Sequence, residues 1–104
     1  MELRQIEYFL EVARLGSITS ASRVLHITQP ALSDAIKKLE RELGVSLFSR
    51  YGNRIELNEN GHYFAERVSA ARVMLSEACE GVADAQRRRE HTVNCSIEIG
   101  RAHV

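Results

Sequence analysis

Apolar positions along the chain fall into successive runs, and the spacing within each run predicts an element. Leu3, Ile6, Phe9, Leu10 and Ala13 recur at helical spacing, which predicts a first amphipathic helix. Gly16 follows as a residue free to take positive φ, and Ser17 offers an N-cap. A second helix then runs to about His26, with Ile18, Ala21, Val24 and Leu25 as its apolar positions. Thr28 is the next cap, with Pro30 in the first turn, where its missing N–H costs nothing. Leu32, Ile36, Leu39 and Leu43 repeat in steps of four, three and four, and Gly44 ends this third helix. Two helices joined by so short a turn have the pattern of a helix-turn-helix, over about 18–37.

Between Val45 and Asn58 the alternation shortens to that of strands. Leu47-Phe48 and Ile55-Glu56-Leu57 flank a Gly52-Asn53 turn, which predicts a β-hairpin over about 47–57. A hairpin placed after a helix-turn-helix is a wing. Asn58 can cap a last helix, with Glu59 in its first turn favoured by the helix dipole. Phe64, Val68, Ala71, Leu75, Ala78, Val82 and Ala85 then recur in alternating steps of four and three, a heptad seam. The helix would end near Arg89, roughly 45 Å from its start at the usual rise. So narrow a stripe on so long a helix needs a partner, and a second copy of the chain is the simplest one. Its near end could instead lie along the first helix of its own chain. The fold class expected is therefore mainly α: a winged helix-turn-helix over 1–58, three helices plus a small hairpin, followed by a long dimerisation helix over 59–90.

Composition changes this picture little, and charge sharpens it. With 44% hydrophobic and 27% charged residues the chain has an ordinary globular balance. Fourteen basic residues balance 14 acidic ones, so any binding of nucleic acid must rest on where the charges sit. Cys79 and Cys95 have neither metal spacing nor a disulfide framework, and read as small half-buried thiols in a reducing compartment. His26, His62, His91 and His103 show no ligand spacing, so no metal and no cofactor is expected. There is no signal-peptide pattern and no run long enough to span a membrane, which points to the cytoplasm. No nucleophile with a base, no paired acids and no phosphate loop stand out, so an enzyme is not expected.

The stretch SITSASRVLHITQPALSDAIKKLERELGVSLFSR, from Ser17 to Arg50, resembles the signature of LysR-type transcriptional regulators. The residues that carry the likeness are Thr19, Ala21, Leu25, Ile27, Thr28-Gln29-Pro30-Ala31, Leu32-Ser33, Ile36, Leu39-Glu40, Leu43-Gly44, Leu47-Phe48 and Arg50. Arg54, Leu57, Gly61 and Phe64 continue it, so it covers Met1 to about Ala85. A molybdate-responsive regulator has a similar winged domain. Ser22 stands where the family usually has a second alanine, and Leu57-Asn58-Glu59-Asn60-Gly61 where it usually has Leu-Thr-x-Ala-Gly. Asn for Thr preserves capping. Asp34 often aligns with Arg, Gln or His, so base specificity is not carried over.

The resemblance implies sequence-specific binding of double-stranded DNA, at a roughly palindromic site, by a homodimer or a tetramer. The candidate contacts are Thr28, Gln29, Pro30, Ser33, Asp34, Lys37, Lys38, Arg50 and Arg54. Gln29 suits adenine N6 and N7, Pro30 a thymine methyl, and Ser33 a phosphate or a base edge. Asp34 could accept from cytosine N4, pair with Lys37 or Lys38, or face water. Arg50 and Arg54 could follow the phosphates or enter the minor groove, or Arg54 could pair with Glu56. Lys37 and Lys38 suit phosphates or a solvated face. Arg87-Arg88-Arg89 complements the negative end of the last helix.

Residues 91–104 look like the start of a truncated effector domain, whose small-molecule ligand would bind elsewhere in that domain. Ile99-Gly100-Arg101-Ala102-His103-Val104 also matches what a common sequencing adapter encodes in one frame, or a natural strand that suits the family. No function is taken from it. Two rivals are a protein-interaction module paired through its long helix, and a short chain that titrates intact relatives.

Overall fold

The computed structural model describes residues 1–88, in the order α1 (Leu3–Leu15), α2 (Ile18–Leu25), α3 (Gln29–Leu43), β1 (Phe48–Tyr51), β2 (Arg54–Leu57) and α4 (Glu59–Arg88). The architecture is mainly helical, a winged helix-turn-helix followed by a long helix, as the periodicity predicts. The chain divides into two compact units, Met1–Arg67 and Val68–Val104, with the described part of the second being helical.

Local chemistry sets most boundaries. Gly16 ends α1 in the left-handed region at φ 65°, and its N–H donates to the Val12 carbonyl at 2.8 Å. Ser17 Oγ accepts the Ser20 N–H at 3.1 Å to open α2. That helix stops at His26, a non-glycine residue at φ 58°. The sequence carries no glycine there to announce the stop. Thr28 Oγ1 accepts the Ala31 N–H at 3.2 Å to open α3, and Gly44 closes it at φ 76°. The antiparallel pairing of Phe48 with Leu57 and Tyr51 with Arg54 leaves Gly52 and Asn53 as a two-residue turn, with Gly52 at positive φ.

The core of the first unit is built from Phe9, Val12, Ala21, Leu32, Ile36, Leu39, Leu47 and Ile55, all buried. Phe9 is its centre: its ring lies 5.4 Å from that of Phe48 and 5.3 Å from that of Phe64, the latter edge-on. Ala21 has no exposed surface, as close crossing of two helices requires. Val24, read as an apolar position of α2, is instead exposed, because so short a helix buries a single narrow face. The wing is tied to the helices through the Ile55 N–H, which donates to the Gly16 carbonyl at 3.2 Å.

Asn58 joins the wing to α4. Its Oδ1 accepts the Gly61 N–H at 2.8 Å, and its Nδ2 donates to the Ser46 carbonyl at 2.9 Å. Gly61 lies against the wing so closely that a Cβ would stand 2.1 Å from the Leu47 carbonyl oxygen. Further along α4, Ser76 is buried, whereas Val73, Met74 and Val82 are exposed. Cys79 is half-buried on α4. Cys95, Arg89, the tail over 91–104 and its strand-like alternation lie outside the described residues.

Candidate nucleic-acid interface

A cleft of the first unit opens between three elements that are separate in sequence. Ser17, Ile18 and Thr19 come from the start of α2, and Gln29, Pro30 and Ser33 from the start of α3. Arg50, Gly52, Asn53, Arg54 and Ile55 come from the wing. The cleft holds about 680 Å³ and is open along one side. Five of the nine sequence-predicted contacts line it: Gln29, Pro30, Ser33, Arg50 and Arg54.

The order of elements explains this grouping. Thr28 is spent as the cap of α3, and its hydroxyl oxygen faces the Ala31 N–H. Capping holds the first turn of α3 firm, so Gln29 and Pro30 are presented on a rigid, exposed end. Ser33, one turn later, is half-buried and also faces the narrower gap between α3 and β1. Lys37 lines that gap, and Lys38 and Asp34 are exposed outside the larger cleft.

Some cations outside the cleft are engaged: Arg14 binds Glu11, Arg87 binds Asp84, and Arg67 lies 5.0 Å over the Tyr63 ring. The N-terminal ammonium donates to Glu42 at 3.1 Å, and that hydrogen bond holds the Glu42 carboxyl below its ordinary pKa. Among the described residues, no ion pair involves Lys37, Lys38, Arg50 or Arg54. The pairing of Asp34 with Lys37 or Lys38, and of Arg54 with Glu56, is thus not formed. A chain with zero net charge can therefore still present two unpaired arginines, Arg50 and Arg54, at one cleft.

Sequence reasoning missed Ser17, Thr19, Gly52 and Asn53. Ser17 and Thr19 were readable as helix-start residues, and Gly52 and Asn53 as a turn. Nothing in their local pattern places them beside α3. Among the described residues no group of side chains could hold a metal ion, and no helix is long and apolar enough to cross a membrane.

Residues 3–62 match the model of the bacterial regulatory helix-turn-helix proteins of the lysR family. The chain is 49% identical over 86 residues to YybE, an uncharacterised HTH-type transcriptional regulator of Bacillus subtilis; that match covers 83% of the chain and 28% of YybE. It is 36% identical over 83 residues to the transcriptional regulator PcaQ of Agrobacterium fabrum, covering 80% of the chain and 27% of PcaQ. The chain thus spans less than a third of the length of these relatives. The crystal structure of CbnR, a LysR family transcriptional regulator, superposes with a TM-score of 0.78 at 34% identity, over 84% of this chain and 30% of that one. The DNA-binding domain of CbnR in complex with DNA superposes with a TM-score of 0.69 at 36% identity, over 88% of this chain and all of that one. With a family model matched over more than half its length, the chain belongs to the LysR family of bacterial helix-turn-helix regulatory proteins.

Proposed function

We propose that this chain binds double-stranded DNA in a sequence-specific manner, as the DNA-binding part of a bacterial transcriptional regulator. The observation that carries the reading is the cleft, which joins the exposed end of α3 to two arginines that have no carboxylate partner. In a helix-turn-helix the start of the second helix enters the major groove. Gln29 and Pro30 then meet base edges, while Arg50 and Arg54 run beside the phosphates or into the minor groove. The role is binding rather than catalysis, and it is carried out in the cytoplasm.

The site is read by a homodimer. Ala71, Met74, Ala78 and Val82 stand three or four residues apart on α4 and are all exposed, which makes one unpartnered helical stripe. This stripe shares Ala71, Ala78 and Val82 with the seam expected from the heptad pattern. Phe64, Val68, Leu75 and Ala85 are already half-buried within the chain, Phe64 against Phe9. A small-molecule effector, if one acts, belongs to sequence that the longer relatives have and this chain does not span.

In vitro selection from a random duplex pool, followed by anisotropy titrations across salt, tests the reading. Expected is a palindromic consensus with half-sites about 34–36 Å apart, and affinity falling by orders of magnitude between about 50 and 200 mM salt. No enriched sequence together with salt-insensitive binding would sink the reading and favour an interaction module.

A further inference from the structure

The start of the wing, Ser46-Leu47, is held from three sides. From α3, Glu40 Oε2 accepts the Leu47 N–H at 2.7 Å; the Ser46 hydroxyl, with one proton to give, lies 3.3 Å from the same oxygen and 3.1 Å from the Phe48 carbonyl. From the junction with α4, the Asn58 N–H donates to the Leu47 carbonyl at 3.0 Å, and its side-chain amide to the Ser46 carbonyl. Gly61 closes the third side against the same Leu47 carbonyl.

Glu40 differs from the other two anchors in what it joins. It lies on α3 seven residues after Ser33, and its carboxylate bridges to the segment that leads into Arg50. Between these ends lies a gap of about 140 Å³, bordered by Ser33, Lys37, Glu40, Ser46, Phe48 and Arg50. A helix and a hairpin on opposite sides of a gap keep a constant separation only if something rigid spans it. An isolated two-stranded hairpin is not stiff enough to do so alone.

We infer that Glu40 is a positioning residue for DNA binding: through the Leu47 N–H it sets the distance from the base-reading end of α3 to the wing arginines. This rests on the DNA-binding reading above. Glu40 does not itself contact DNA, since a carboxylate beside phosphates would repel them. Its part is to let Gln29 and Arg50 engage one duplex at the same time. Without it, the Leu47 N–H loses its acceptor, and the wing keeps its ties to α1 and to the Asn58 junction but loses this hydrogen-bonded tie to α3, so the gap between α3 and Arg50 is no longer fixed.

Glu40→Asp is the decisive variant. It keeps the charge but withdraws the carboxylate by one methylene, out of reach of Leu47. Glu40→Gln keeps an oxygen that accepts the Leu47 N–H. Each full-length variant would be titrated with the duplex that the wild-type chain selects, across the same salt range, after circular dichroism has shown it folded. Glu40→Asp is expected to bind about tenfold more weakly and to show a log–log salt slope shallower by about 0.9–1.8, the loss of one or two phosphate contacts. Glu40→Gln should keep the wild-type slope. Arg50→Ala should weaken the wild type but add little to Glu40→Asp. A fold defect alone would lower affinity and leave the slope unchanged. The inference is overturned if folded Glu40→Asp keeps the wild-type slope, if Glu40→Gln loses it equally, or if the Arg50→Ala effects simply add. Failure of the wild-type chain to bind any duplex would instead remove the DNA reading itself.

Discussion

Gln29 and Ser33 are one turn apart on α3, yet their surroundings assign them different work. Gln29 is exposed at the first helical position, free to lay its amide against a base edge. Ser33 is half-buried between the helix and the wing, and on the DNA-binding reading it would meet a phosphate. Gln29→Ala should therefore relax preference at a single base pair, by about 1–3 kcal/mol, when selected consensus sequences are compared. Ser33→Ala should weaken all sequences alike. Asp34 is exposed and makes no ion pair with the lysines of the next turn, so it remains open to cytosine. Asp34→Ala should then lose preference at one position, and an unchanged consensus would remove the contact. Gly61 is constrained by space alone. A Cβ at 2.1 Å from backbone oxygen cannot be relieved by moving a side chain, so Gly61→Ala should cost about 1–3 kcal/mol and lower the melting temperature by several degrees.

At the scale of elements, caps and hydrogen bonds to backbone govern what the interface can do. Thr28 lies in the matched motif, but its oxygen already serves the Ala31 N–H. Thr28→Ala should lower stability by about 1 kcal/mol in a thermal melt, whereas Thr28→Ser should restore it. The wing contributes charge where the total charge of the chain is zero. If Arg54 meets a phosphate, Arg54→Ala should make the salt slope of binding shallower by about 0.9 without altering the consensus. A changed consensus with an unchanged slope would place Arg54 on a base instead.

For the whole molecule, the question is what covers the exposed side of α4. Met74 is 68% exposed and Val82 58%, and both lie on the same stripe of α4. Met74→Glu with Val82→Glu should shift sedimentation from dimer to monomer and reduce affinity for a palindromic duplex toward that for one half-site. Leu75, half-buried within the chain, should report on stability more than on assembly. A dimer that survives both glutamates would place the interface elsewhere.

Elements were legible in the sequence because each depends on near neighbours. Ser17 and Thr28 cap helices three residues away, Gly16 and Gly44 end them, and Gly52 turns a hairpin between adjacent strands. The candidate residues of α3 were legible too, since Gln29, Pro30 and Ser33 follow from the start of one helix. The packing of Phe9 against Phe48 and Phe64 was not, because a period shows which side of a helix is apolar but not what meets it. Tertiary structure alone brought Thr19 and Asn53 beside α3, set Glu40 on the Leu47 N–H, and pressed Gly61 against the wing. Those juxtapositions join residues between seven and 24 positions apart. Their closeness comes from how the helices bury a shared core, and no local preference encodes that.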